Sequence, residues 1–559
     1  MVSLLFAEKY NRKLIETVPV GVYLFMLVAY LLGISGHISH IIPLFIIYEA
    51  AGFAVVFYFT AFMRMDFLAP FKEAGNLIFV LLLVILWILS LHMRVTNFDD
   101  FHSWAITPKD MYYVNGLPTG NMASTFYRDY FPLVYIMDFF LFKLAGRYSE
   151  GMMFFVLWAL MLVSLAEFLH RRSDDGKLRY ICRVAAGIML PFLVSFQFLH
   201  CLGLDILATT IFGSVLVYIM EHVRPAAGKE PQEGFVYIRI ILATTVLSMM
   251  KTTSLILAAV CIAVYFVKSI EIKKLSSWVR FALLPLVTGV FWISWKIFCR
   301  IRGNTTYLSD NLDRNLSSGH MGFPAYTLST VREFILKLFT YGLNDSAIGL
   351  TSVIILLLFI ISYIIHIKIN RTGTRDVLSL TVILLGMAGY LLVMIYVYLF
   401  VFEEWEALSL SSYDRYIATY FGAMLYEALF LLLAVELKPE WVMPAFMLLL
   451  ALTINYPFVA ETLNPAGYEK QFGATIAEID AIEQEFMDAA GDFPAFGESI
   501  LIVDHTSDQL RAKVLPYAAV PGVTRIIRPD ENGKEPSEQE IKEMAEEYGA
   551  RIIDLRRPE

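Results

Sequence analysis

The chain has 559 residues, 58% of them hydrophobic and 17% charged, with a mean hydropathy of +0.61. Soluble globular domains run near half apolar and a quarter charged, so this composition excludes an ordinary soluble protein and predicts a polytopic membrane protein. The net charge of −8 is less informative than where Lys and Arg fall around the spans, and no nucleic-acid partner is expected.

Glu8 and Lys9 lie in the first ten residues, and no small-residue cleavage site follows the first apolar run. That run, 18–34, is therefore expected to stay as an anchor. Further runs follow at 41–63, 75–92, 152–169, 181–199, 203–221, 236–250, 253–268, 281–298, 349–367, 377–402, 417–436 and 441–459. Together they predict about thirteen spans. Segment 131–146 is apolar but short, and it carries Asp138 and Lys143.

Lys and Arg cluster before the first span (Lys9, Arg12, Lys13) and at 171–183, 268–280 and 366–375. All of these fall on one side if 131–146 lies flat as an interfacial amphipathic helix. By the positive-inside rule that side is cytoplasmic, with the N-terminus. Loops 93–151, 299–348 and 403–415 and the C-terminal tail are then extracytoplasmic.

The expected fold class is mainly α: a polytopic transmembrane helical bundle with a small C-terminal α/β extracytoplasmic domain. From about residue 460 charge becomes dense, and short apolar runs such as 499–503 and 551–555 alternate with helical stretches. Three regions result: N-terminal spans over 1–74, a transmembrane catalytic region over 75–459, and a C-terminal domain over 460–559. That domain reads as a docking or lid module, or as a structural cap. Cys182, Cys201, Cys261 and Cys299 lie in or beside apolar runs without metal-ligand spacing, and read as buried apolar residues. The sequons at Asn304 and Asn315 carry little weight.

This topology collects charged and polar groups on one face. Asp99, Asp100 and His102 follow the third span. Arg128 and Asp129 precede segment 131–146, and Asp205 follows the turn between two spans. Lys251 interrupts an apolar stretch, His320 lies in loop 299–348, and Arg415 and Tyr416 open a late span. Each has a plain structural explanation as well. The Asp-Asp pair could keep a helix end in water, and Lys251 and Arg415 could snorkel. Asp205 could cap its helix. His102 and His320 could be polar surface, and Arg128 and Asp129 a weak surface pair. Acids and bases gathered on one membrane face suit a charged lipid head group and a reaction with it. A carboxylate pair can deprotonate an acceptor hydroxyl, while Lys251 and Arg415 can neutralise a leaving phosphate. Two adjacent carboxylates could also hold a divalent cation, whose other ligands the sequence does not reveal.

The arrangement resembles the GT-C superfamily of integral membrane glycosyltransferases, including protein O-mannosyltransferases and aminoarabinose transferases. Asp99-Asp100 matches the acidic pair of that superfamily's first large extracytoplasmic loop, here after the third span, which suggests two extra N-terminal spans. The stretch Tyr127-Arg128-Asp129-Tyr130-Phe131-Pro132-Leu133 looks like the start of an interfacial helix, with Phe131 in place of a proline. Asp205 in Gly203-Leu204-Asp205-Ile206-Leu207, Lys251, and Asp414-Arg415-Tyr416 are similar to further elements of the superfamily, and the resemblance covers about 75–436. It implies an inverting transferase in a plasma membrane, with Asp99 or Asp100 as base. It implies a polyprenyl-phosphate sugar donor and a cell-envelope glycan, lipid or protein as acceptor. Two rivals carry no chemistry: a transporter or flippase of lipid-linked sugars, and an assembly protein recruiting partners through its C-terminal module.

Overall fold

The computed structural model describes the chain except for residues 64–69, 120–126, 173–174, 224–229, 272–274, 305–322, 344–348, 371–372, 436–440, 530–533 and 556–559. Each predicted apolar run coincides with a helix. Among the described residues, seven helices are long and apolar enough to cross a membrane: Leu14–Ile34, Ile38–Tyr58, Asp205–His222, Leu275–Arg302, Ser352–Ile369, Thr374–Phe400 and Tyr413–Leu433. The pair Val442–Ala451 and Tyr456–Leu463, bent by 69°, makes an eighth if taken as one broken span. The chain is thus a multi-pass membrane protein. The expected count of about thirteen also included shorter helices. Ala74–Ser90, Glu150–Ser164 and Ser254–Ser269 are apolar but have only 17, 15 and 16 residues. Lys177–Val194 carries Lys177, Arg179 and Arg183.

The bundle is built around two helices, Asp205–His222 and Tyr413–Leu433, both almost completely buried. Small residues let them approach closely, as in lipid-embedded bundles generally. A Cβ on Gly213 would stand 2.8 Å from the Tyr426 Cβ, and one on Gly422 would stand 2.7 Å from Thr209 Cγ2. The Tyr426 hydroxyl shares a hydrogen bond with Thr210 Oγ1 at 3.1 Å. The outer helices instead expose Leu81, Leu286, Leu357, Leu385 and Leu392. Helical backbones satisfy their own polar groups, so these faces can meet lipid at no hydrogen-bonding cost.

Segment 131–146 forms the helix Leu133–Ala145, with 13 residues. At 1.5 Å per residue it extends only about 20 Å, short of a bilayer's hydrocarbon core. It packs against Leu14–Ile34 and Glu150–Ser164 and buries Asp138. The four cysteines are free and buried, as expected. Asn304 is buried too, whereas Asn315 lies outside the described residues.

After Tyr456–Leu463 the long helix Pro465–Ala490 leads to a three-stranded parallel sheet. Its strands are β1 (Ser499–Val503), β2 (Val523–Ile527) and β3 (Arg551–Asp554), in the order β2-β1-β3. Parallel neighbours need crossovers, here the helices Gln509–Ala518 and Glu538–Tyr548. The α/β unit predicted from 460 onward is therefore present. It is bolted to the loop after Ala74–Ser90. Tyr517 Oη donates to Glu150 Oε1 at 2.6 Å, and Lys109 Nζ donates to the Tyr517 carbonyl at 2.8 Å while lying 3.7 Å from the Tyr517 ring centre. Arg94 joins Glu150 and Asp480, both at 2.8 Å.

Candidate functional site

The acidic pair lies on a tight, irregular turn. Asn97 Oδ1 accepts the Asp99 N–H at 2.9 Å, and the Ala105 N–H reaches the Asp100 carbonyl, five residues back, at 2.8 Å. This one π-turn, Asp100–Trp104, is of the kind that often marks functional positions. It separates two neighbouring carboxylates. Asp100 is fully buried, and both of its oxygens accept the Leu202 N–H, each at 3.1 Å. Burial pushes its carboxyl up to about 8, assisted by the nearby Asp99 and opposed by the Leu202 N–H. The Asp99 side chain is 46% exposed, and its Oδ2 meets Arg415 Nη1 at 2.9 Å.

Arg415 stands in the first turn of Tyr413–Leu433, and Asp205 opens Asp205–His222. The two central helices thus bring their N-terminal ends to the turn that holds Asp100. A Cβ on Gly203 would lie 3.7 Å from both Arg415 Nη1 and Asp205 Oδ2. Asp205 Oδ1 takes a 2.6 Å ion pair from Lys251, on the break between Glu230–Ser248 and Ser254–Ser269. The Lys251 ammonium is 5.5 Å from the ring centres of both Trp104 and Tyr416. Behind these pairs is a cavity lined by Ser195, Gln197, Cys201, Asp205, Thr209 and Arg415. Asp205 Oδ2 is buried there with no hydrogen-bond partner among the described residues. Gln197 Nε2 donates to Asp414, and Arg415 Nη2 to Ser412 Oγ at 2.6 Å.

Asp99, Asp100, Asp205, Lys251, Arg415 and Tyr416 therefore share one site. Asp205 is the first residue of its helix and not its N-cap, which is Leu204, and its side chain pairs with Lys251. Neither Lys251 nor Arg415 simply snorkels: each is ion-paired inside the protein. His102 is buried beside this site, its ring 5.3 Å from Phe98 and 6.4 Å from Tyr127. Asp129 goes elsewhere. Its Oδ2 meets Lys296 at 3.3 Å, and its carbonyl accepts from Trp295. Arg128 faces the C-terminal unit, where burial and the like charge of Arg525 push its guanidinium pKa down. His320 lies outside the described residues.

Sequence reasoning missed Lys513. Helix Gln509–Ala518 packs over the π-turn, with Phe101 against Tyr517 at 5.1 Å, and sets Lys513 Nζ 4.8 Å from the Phe98 ring centre. Burial pushes this ammonium down to about 8, with the Asp99 charge opposing. Nothing in a polar helix some fifty residues beyond the last span signals this position.

Asp99 and Asp100 engage different partners, and among the described residues no third His, Cys or carboxylate joins them at metal-ligand distance. Glu167, Glu221 and His222 do cluster tightly enough. There Arg239 meets Glu167 at 2.8 Å and Arg172 binds Glu221, so the acidic charge is already balanced.

No family model matches the chain, and no curated protein does. Among solved structures it is similar to the crystal structure of ArnT from Cupriavidus metallidurans bound to undecaprenyl phosphate. The TM-score is 0.43 and the identity 12%, over 86% of this chain and 89% of that one.

Proposed function

We propose that this protein is a membrane glycosyltransferase. It moves a sugar from a polyprenyl-phosphate donor to a cell-envelope acceptor, at the extracytoplasmic end of the bundle. One observation carries the reading: an exposed carboxylate, Asp99, held at 2.9 Å by an arginine on the first turn of a buried helix. Acid and cation thus stand side by side, as a base and a leaving-group stabiliser need to.

On this reading Asp99 is the base. It takes the proton of the acceptor hydroxyl as that oxygen attacks the anomeric carbon. The carbon–oxygen bond to phosphate breaks, and the departing phosphate keeps the electron pair. Arg415 and Lys251 face that charge, helped by the N-terminal ends of two helices. Asp100 lacks the exposure to meet an acceptor, and acts by fixing the turn to Leu202. The unpartnered Asp205 Oδ2 is free to accept one further hydrogen bond from the water-sized cavity.

The test is the sugar composition of the envelope in cells carrying Asp99→Asn at wild-type protein level. Loss of one sugar, with its lipid-linked form accumulating, is the expected result. An unchanged envelope under conditions that need the protein would refute transfer.

A further inference from the structure

The helix Thr327–Thr340 lies between the membrane helices Leu275–Arg302 and Ser352–Asn370. Its 14 residues extend about 21 Å, too short to span, and include Arg332, Glu333 and Lys337. One edge is packed inward, with Thr330 and Phe334 buried. The outward edge is apolar: Leu328, Ile335, Leu336 and Phe339 are all exposed, Leu328 by 80% and Phe339 by 60%. At 100° per residue Leu328, Ile335 and Phe339 form one stripe, with Arg332 among them and Leu336 on its flank. Glu333 and Lys337 lie further round, toward the polar side.

An exposed apolar stripe of this width needs a cover. Its neighbours indicate which. The helix packs against Thr374–Phe400 and the short helix Glu404–Ser409, which follows the end of that span and exposes Trp405. A tryptophan just past a span end marks the level of the lipid head groups. Arg332 within the stripe fits that level as well, because its stem can lie along acyl chains while its guanidinium reaches a lipid phosphate.

We propose that Thr327–Thr340 is an interfacial helix, with the stripe Leu328–Ile335–Phe339 sunk in the bilayer surface and Arg332 on lipid phosphate. The partner is lipid, and the inference does not depend on glycosyl transfer. It does bear on the site, because the helix is tied to the element that carries Arg415. The Tyr413 hydroxyl donates to the Phe334 carbonyl at 3.0 Å, and the two rings lie 5.2 Å apart, edge to face. Contact with the bilayer thereby fixes the level at which Arg415 stands.

The test uses the full-length protein in phosphatidylcholine–phosphatidylglycerol nanodiscs, with nitroxide labels on Ile335→Cys, Phe339→Cys and Glu333→Cys. The native cysteines are buried. Relaxation by oxygen, which concentrates in lipid, is compared with relaxation by a water-soluble nickel chelate. The oxygen-to-nickel ratio should be severalfold higher at 335 and 339 than at 333. Equal ratios at all three positions would overturn the inference. Shielding of 335 and 339 from both reagents would also overturn it, because a protein would then be the cover. Leu328→Cys serves if a labelled variant does not fold.

Discussion

Asp100 permits a quantitative test, because a fully buried carboxyl pushed up to about 8 ties stability to pH. Its unfolded value is about 3.9. Between that value and 8 the unfolded chain has released the proton while the folded protein retains it. Stability therefore falls as pH rises, by about 1.4 kcal/mol per unit for one proton. From pH 5 to pH 7 the loss is about 2.7 kcal/mol, and it levels off above 8. Asp100→Asn removes the titration but keeps the size and an oxygen for the Leu202 N–H. The assay is denaturant unfolding of both proteins in mild detergent from pH 5 to 9. Other titrating groups act alike in both, so the difference between the curves isolates Asp100. The variant should gain on the wild type as pH rises. Parallel curves would refute the account of Asp100 as a buried neutral acid. Asp100→Ala, which strands the Leu202 N–H, should destabilise by about 1–3 kcal/mol at every pH.

Asp99→Asn should fold normally and lose on the order of a hundredfold or more in transfer from lipid-linked donor, as for removal of a general base; a wild-type rate would exclude Asp99 from that role. Lys513, pushed down to about 8, should carry on the order of a hundredfold more neutral amine at pH 7.5 than an ordinary lysine. A brief pulse of acetic anhydride, read by peptide mass spectrometry, should modify it ahead of exposed lysines, and average reactivity would contradict that placement. Tyr517→Phe deletes the hydrogen bond to Glu150, so the C-terminal unit should loosen by about 1.5–3 kcal/mol. Faster limited proteolysis after residue 490 would report this, and unchanged cleavage would show that other contacts hold the unit.

The helices were legible because long apolar runs have few alternatives. Charges at span ends were legible for a related reason: Lys251, Asp205 and Arg415 are costly near lipid, so each drew attention. Their pairing was not legible. Asp99 meets a partner more than three hundred residues away, and Asp205 reaches Lys251 only because Asp205–His222 packs against the helices that flank it, Glu230–Ser248 and Ser254–Ser269. The contrast between Asp99 and Asp100 was also hidden, because one π-turn sends adjacent and chemically identical side chains to opposite environments. Asp129 was grouped with the site on sidedness alone, yet it pairs with Lys296.

The two ion pairs differ in a way that bears on order of events. Lys251 and Asp205 are both shielded from solvent, whereas Asp99 of the Asp99–Arg415 pair is nearly half exposed. Because the Asp99 carboxylate can return to water when its pair opens, an arriving anion can displace it from Arg415. A buried pair is far harder to open, because separation leaves a charge stranded in low dielectric. On the proposed reading, donor phosphate therefore takes Arg415 first, and in doing so releases the Asp99 carboxylate for the acceptor hydroxyl. Lys251 stays with Asp205 and supplies a fixed positive field. The base thus becomes free only when there is a phosphate to leave. A site built this way stays uncommitted without donor, whatever acceptor is present.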